Sequence, residues 1–276
     1  MTSAVIAVGA DARASSLAAL AWALAECRTR EADLVLVHAV DAADAELACS
    51  GGAANTSEAV AHAVLDVHRA VTDGVAHDVT VTSFLSGSQP AEALIEASRN
   101  ATLLVLGSHG LAGFAESALG SIAHRVAVHA HCPVAIVPAH STTPRWLQLH
   151  RIVVGVSETR AARRAVHFAA AEARRAEATL VLVRAPVDGE DDGPDGRAVL
   201  TGYLDEVRHC YPEVRCEVVL SDADPVAAVV RAAHDSDLVV LGCHHSEAAW
   251  NCRLGAVPTG VLMQVECPVV LVGQVH

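Results

Sequence analysis

Glycine, serine and histidine gather at Gly107-Ser108-His109-Gly110, directly behind the apolar run Thr102-Leu103-Leu104-Val105-Leu106. Gly120-Ser121-Ile122 follows after a nine-residue spacer that contains Gly113. Glycines at a strand end let backbone amides come close to an anion. A helix starting just beyond adds its free N–H groups and the positive end of its dipole. The chemistry this layout suits is the cradling of a phosphate. His109 is placed to reach a phosphate, but no aspartate stands at a spacing that would orient it, so it is read as a contact and not as a general base. Asp11, two residues past the run Val5-Ile6-Ala7-Val8-Gly9, is a carboxylate at a strand end, where it can accept hydrogen bonds from ribose hydroxyls. The competing reading of Asp11 is a cap for a helix opening near Ala14. Ser121 has the same duality, between a phosphate contact and an ordinary first-turn residue.

A second copy of this frame lies 135 residues further on, with substitutions. Leu241-Gly242 and Leu254-Gly255 repeat the outer glycines, but His245 replaces Gly110, Ala256 replaces Ser121, Ser157 stands for Asp11, and Pro258 removes an N–H. The first half reads as built for a nucleotide and the second as a frame that no longer holds a triphosphate.

The elements that position these residues repeat too. Val5-Ile6-Ala7-Val8-Gly9 returns as Ile152-Val153-Val154-Gly155, and Cys132-Pro133-Val134 returns as Cys267-Pro268-Val269. Two copies of domain size imply a tandem duplication, residues 1–140 and residues 150–276, joined across Ala139 to His150. In the first half the runs Val5–Val8, Leu34–Val37, Val79–Phe84, Leu103–Leu106 and Val134–Val137 are short and mostly apolar on both faces, as buried parallel strands are. Between them, Ser15–Thr29, Glu58–Asp73, Ala91–Asn100 and Ser117–Ala130 carry helical spacing; Leu17, Leu20, Ala21 and Leu24 form one apolar stripe. Pro90 suits a first helical turn, with Ser88 as its candidate cap. The pattern predicts an α/β protein of two doubly wound parallel-sheet domains with about five strands each, binding ligands at the carboxyl ends of strands near a switch in strand order.

Composition narrows the classes. Hydrophobic residues make up 52% of the chain but aromatic residues only 3%, so the core is built from Ala, Val and Leu. No apolar run is long enough to cross a bilayer and no signal-peptide layout is read at the start, which gives the expectation of a cytoplasmic protein without a membrane partner. A net charge of −13 argues against a nucleic-acid surface. All basic residues are arginine, and the absence of lysine excludes a Walker-type phosphate lysine, a kinase strand lysine and a Schiff-base cofactor. The eight cysteines are scattered, and read as free thiols, with Cys132 and Cys267 as small core residues. Cys243-His244-His245 with Cys252 lacks the paired spacing of a zinc site, so no metal site is assigned.

Gly107-x2-Gly110-x9-Gly120-Ser121, with Cys132-Pro133-Val134 behind it and Val8-Gly9-Ala10-Asp11 in front, resembles the universal stress protein family in its tandem two-domain form. The resemblance implies a Rossmann-like fold of the adenine nucleotide alpha-hydrolase-like type. It also implies an ATP site in which the glycine loop wraps phosphates and ribose, Asp11 contacts the nucleoside and Val40 lines the adenine pocket. The residues it marks are Asp11, Val40, Gly107, Ser108, Gly110, Gly120, Ser121 and Ile122, and Gly9, His109 and Gly113 beside them complete the candidate binding set. It further implies pairing as a homodimer or an intramolecular pseudo-dimer, for which the apolar terminal strands are candidate edges. This chain departs from the family in reading Asp11-Ala12-Arg13, and its loop contains Glu116 and no basic residue. Weak ATP binding, binding with Mg2+, and a preference for a less charged adenine nucleotide therefore all stay open, with Arg13 and Arg125 as the available compensating charges. Two other functions remain beside a nucleotide-responsive stress-response regulator: a slow ATP hydrolase, and a nucleotide-free dimerising scaffold.

Overall fold

The computed structural model describes residues 4–39, 54–108, 121–139, 149–186, 193–243 and 254–273, which fall into two compact units. The first unit contains β1 (Val5–Gly9), α1 (Ala14–Arg30), β2 (Asp33–Ala39), α2 (Ala54–Val75), β3 (Val81–Ser86), α3 (Pro90–Ala97), β4 (Leu103–Gly107), α4 (Ser121–His129) and β5 (Val134–Val137). The second contains β6 (Arg151–Gly155), α5 (Arg160–Ala176), β7 (Thr179–Arg184), α6 (Gly193–Cys210), β8 (Arg215–Leu220), α7 (Pro225–Ala233), β9 (Leu238–Gly242), α8 (Ala256–Leu262) and β10 (Val269–Val272).

Within the first unit the strands run in the order β3-β2-β1-β4-β5, and within the second β8-β7-β6-β9-β10. The neighbours pair in parallel: Val8 is opposite Leu36 on one side and Val105 on the other, and Val154 is opposite Leu182 and Val240. Successive strand residues point to opposite faces, so a run buried at every position has both faces covered. Leu103, Leu104 and Val105 are all fully buried, as are Ile152, Val153 and Val154. The expectation of buried strands fails at β3, which lies at the end of its unit's order: Thr82 and Phe84 are exposed while Val81 and Ser83 are half-buried, because a strand at the end of the order has less to cover it.

Helix α1 buries half of the predicted stripe, Leu20 and Leu24, and leaves Ala21 half-buried. Ser16, Ala19, Leu20, Ala23, Leu24 and Cys27 face inward, whereas Leu17 is exposed. The small side chains of Ala19 and Ala23 let the helix come close to the sheet, and that closeness outweighs the larger apolar area of Leu17. Pro90 does occupy the first turn of α3, but Ser88 does not cap it: Gln89 is the capping position, and the Ser88 hydroxyl lies 2.8 Å from that of Ser86. In the second unit Asp224 caps α7, accepting from the N–H groups of Val226 and Ala227.

The duplication extends to terminal details. Helices α1 and α5 both end on a glutamate in the left-handed region, Glu31 at φ 52° and Glu177 at φ 54°. In each, the next residue's N–H returns to a carbonyl five residues back, Ala32 to Cys27 and Ala178 to Ala173. This wrap satisfies the last free carbonyls, and it holds a side chain where glycine is the usual occupant.

Trp22 of α1 is 1% exposed, and its indole N–H has no hydrogen-bond partner among the described residues. Phe168 stands at the same position of α5. Trp22→Phe removes an unsatisfied donor while keeping most of the ring, so it is expected to change stability by less than about 1 kcal/mol, against about 3–5 kcal/mol for Trp22→Ala. Denaturant unfolding of the two variants checks this. Cys27, Cys132, Cys243 and Cys267 are free and buried. Burial pushes their thiols up from 9.0, to about 12 for Cys27, Cys132 and Cys243 and to about 11 for Cys267. Below pH 9 these thiols are protonated whether the chain is folded or not. Above it the unfolded chain ionises first, so stability falls as pH rises, by about 1.4 kcal/mol per thiol per pH unit. Melting temperatures between pH 8 and 11 should decline, less steeply in Cys243→Ala.

Candidate functional site

In each unit the strand order reverses direction once, between β1 and β4 in the first and between β6 and β9 in the second. Beyond the carboxyl ends of two such strands no crossover covers the sheet, and a crevice for a ligand opens there. In the first unit the residues just past those ends are Ala10-Asp11 and Ser108.

The turn that carries Asp11 is held from several directions. The Ala10 N–H donates to the Val37 carbonyl at 2.8 Å, and Nδ1 of His38 donates to the Ala10 carbonyl at 2.7 Å. The Asp11 N–H donates to the Ser16 hydroxyl at 3.0 Å. That hydroxyl lies 2.7 Å from Nε2 of His68, and Nδ1 of His68 is 2.8 Å from the Val64 carbonyl. A carbonyl only accepts, so Nδ1 of His68 carries a proton, and the Ser16 hydroxyl stands between His68 Nε2 and the Gly9 carbonyl, 3.2 Å away, with one proton to give to either. Ser16 and His68 are both 2% exposed. They have the geometry of a nucleophile and its base, but no substrate could reach them, and they act as a buried clamp behind Asp11.

The Asp11 side chain is 35% exposed, and both of its oxygens are engaged by the next residue but one. Oδ1 accepts from the Arg13 N–H at 2.8 Å and Oδ2 from the Arg13 guanidinium at 2.9 Å. Asp11 thus does serve the start of α1, whose capping position is Arg13, alongside its place at the strand end. Arg125, the other candidate counter-charge, is paired with Glu92 at 3.2 Å.

Gly107 closes β4 for a reason the sequence did not show. A Cβ built on it would lie 2.3 Å from the carbonyl oxygen of Ser15 and 2.5 Å from its carbonyl carbon. The first turn of α1 rests directly on the end of β4. Gly242 repeats this: a Cβ there would lie 2.5 Å from the carbonyl carbon of Ala161 and 2.6 Å from the N of Ala162. A Cβ on Gly9 would meet only the ends of the Leu106 and Leu94 side chains, at 2.9 Å and 3.3 Å, which can give way, so packing demands this glycine less than it does Gly107. Ser108 is half-buried, with its N–H on the Val137 carbonyl at 2.7 Å; Ser121 is exposed at the start of α4, and Ile122 follows half-buried. Val40, His109, Gly110, Gly113 and Gly120 lie outside the described residues, as do Glu116, His244, His245 and Cys252.

The second unit fills the same positions differently. Cys243 replaces Ser108; its N–H bonds the Val272 carbonyl at 2.9 Å, and its thiol is buried and pushed up to about 12 by desolvation. The Ser157 hydroxyl lies 3.0 Å from that of Thr159, which caps α5 by accepting from the Ala162 N–H, and the Tyr203 hydroxyl donates to the Ser157 carbonyl at 2.9 Å. A cleft of about 430 Å³ opens nearby, lined among others by Glu158, Arg160, Arg163, Tyr203 and Glu206. Glu206 is already engaged by His167 at 2.7 Å and Arg163 at 3.5 Å.

Sequence reading missed Ser16, His38 and His68, the residues that hold the Asp11 turn. One signal was available for His68: it falls in phase with Ala61, Val64, Leu65 and Thr72, a buried face of α2 on which an imidazole needs partners.

The chain matches the sequence profile of the universal stress protein family twice, over residues 4–138 and 148–273. A universal stress protein of Mycobacterium tuberculosis is 30% identical over 98% of this chain and 96% of its own length. One from Mycolicibacterium smegmatis is 27% identical over 97% of this chain and 96% of its own. Among solved structures, a universal stress protein from Archaeoglobus fulgidus superposes with a TM-score of 0.77 at 17% identity, covering 99% of both chains, and shares the fold.

If Gly107 and Gly242 are required by helix packing, Gly107→Ala and Gly242→Ala should destabilise their units alike, each by about 1–3 kcal/mol or more. Chemical unfolding of the two variants without any nucleotide checks this. A stable Gly107→Ala protein would return the glycine to a purely ligand-binding role.

Proposed function

The chain belongs to the universal stress protein family, and from that premise we propose that its N-terminal half, residues 1–140, binds one adenine nucleotide at the carboxyl ends of β1 and β4, with ATP as the ligand. In this reading Asp11 accepts from the ribose hydroxyls, Val40 lines the adenine pocket, and Ser108, His109, Gly110, Gly113, Gly120, Ser121 and Ile122 surround ribose and phosphates. The half formed by residues 150–276 takes no nucleotide and serves as a packing partner.

The observation that carries the proposal is the contrast at the two switch points. In the first unit a part-exposed carboxylate and a serine stand at the strand ends; in the second a serine bonded to its own turn and a buried thiol stand at the same positions. A ligand with hydroxyls and phosphates finds partners at the first and few at the second. Asp11 offers the acceptors that a ribose would need, and Arg13 offers positive charge for phosphate. Among the described residues no cluster of His, Cys, Asp or Glu could hold a metal ion by itself. Mg2+, where it accompanies ATP, would therefore be carried chiefly by the phosphates, as this ion often is.

No described helix is long and apolar enough to cross a membrane. The proposal places the protein in the cytoplasm as a stress-response regulator, whose stability or association as a homodimer responds to nucleotide. A ligand bound only by the folded chain raises stability by about 2.7 kcal/mol at a hundred times its dissociation constant.

Calorimetric titration of nucleotide-stripped protein with ATP and Mg2+, for wild type and Asp11→Ala, tests the proposal. The expected result is a stoichiometry near one that the variant loses. A stoichiometry near two would show that the second half also binds. No heat and an unchanged melting temperature would favour the nucleotide-free scaffold.

A further inference from the structure

The start of α1 breaks a local rule that its twin keeps. Thr159 caps α5 by accepting from the Ala162 N–H. At the same position α1 has Arg13, which makes no side-chain cap; neither helix has an acid in its first turn. A guanidinium at this end faces the positive pole of the helix dipole, where anions are favoured. The Asp11 carboxylate offsets that charge in the free chain, but Arg13 itself is 60% exposed and adds no buried packing. A local rule broken for so small a structural gain, one exposed ion pair, is expected where function requires the residue.

The place of Arg13 says what that function would be. Ser15, two residues on, lies against Gly107 at the end of β4, so Arg13 sits at the mouth of the crevice that Ser108 also borders. Its guanidinium occupies Asp11 Oδ2 and its N–H occupies Oδ1, the acceptors that a ribose would need. We propose that Arg13 makes this site select phosphorylated nucleotides over nucleosides. In the free chain its guanidinium holds the Asp11 carboxylate; on binding it yields that carboxylate to the ribose and takes a phosphate oxygen instead. A nucleoside must break the pair with nothing to offer Arg13, whereas a nucleotide replaces one anionic partner by another. The guanidinium fork suits either partner. The inference rests on the nucleotide reading of the N-terminal half.

Titrations of wild type, Arg13→Thr and Arg13→Lys with adenosine and with AMP test it. An exposed ion pair is weak, so freeing Asp11 in Arg13→Thr should leave adenosine affinity unchanged or raise it up to about fivefold. Loss of the charged phosphate contact should weaken AMP about tenfold or more. The preference for AMP over adenosine therefore falls by at least about tenfold, and Arg13→Lys, which keeps the charge without the fork, retains part of it. Arg13→Thr also restores the cap found in α5 and should raise the melting temperature by about 2–4 °C. A purely structural role would move that temperature and leave the preference alone. Equal changes in adenosine and AMP affinity overturn the proposal while the nucleotide site stands. Failure of wild type to bind either ligand in an Asp11-dependent way removes the site itself, and the proposal with it.

Discussion

In each unit a helix start lies directly against a strand end: Ser15 against Gly107, and Ala161 and Ala162 against Gly242. No side chain separates the two backbones, so α1 and α5 sit low on their sheets. Other features follow from that closeness. It selects small residues for the buried stripes, Ala19 and Ala23 in α1 and Ala161, Ala162, Ala165 and Ala169 in α5. It also brings the first turn of α1, with Arg13 and the turn holding Asp11, alongside the end of β4. The candidate site is therefore formed by a packing contact before any ligand is considered.

The two halves share this framework and differ in what they mount on it. In the first, Ser16 and His68 clamp the turn from inside, and the carboxylate of Asp11 is left part-exposed with an exposed arginine as its partner. In the second, Ala162 stands where Ser16 does, Thr159 caps the helix, and Tyr203 ties down the Ser157 carbonyl. The first half carries an uncapped helix and a polar pair inside its core. The second has local chemistry that serves the fold. The difference supports the proposal of a single nucleotide site in the first copy of a duplicated domain.

A core almost without aromatic residues suits this architecture. Val, Leu and Ile fill the inner strands, which are covered on both faces, and alanines set the distance between helices and sheet. The buried thiols of Cys132 and Cys267, ahead of matching terminal strands, belong to the same economy of small side chains. Burial raises their pKa, and makes them poor nucleophiles near neutral pH.

By itself the sequence determined the duplication, the alternation of strands and helices, and the candidate residues at strand ends. Each of these is written in spacing, which is local: apolar runs of strand length, helical periodicity between them, and glycines at a fixed offset. It did not determine the phase of the buried stripe on α1, where Leu17 lost to Ala19, because phase depends on how near the sheet lies. It could not distinguish a glycine kept for a phosphate from one kept for a helix, since both need only a missing Cβ. Nor could it find Ser16, His38 and His68 around Asp11, or join Asp11 to Arg13 in a single ion pair. Hydrogen-bond partners come from elements far apart in the chain, and only the crossing of β1, β2, α1 and α2 at one end of the sheet decides which of them meet.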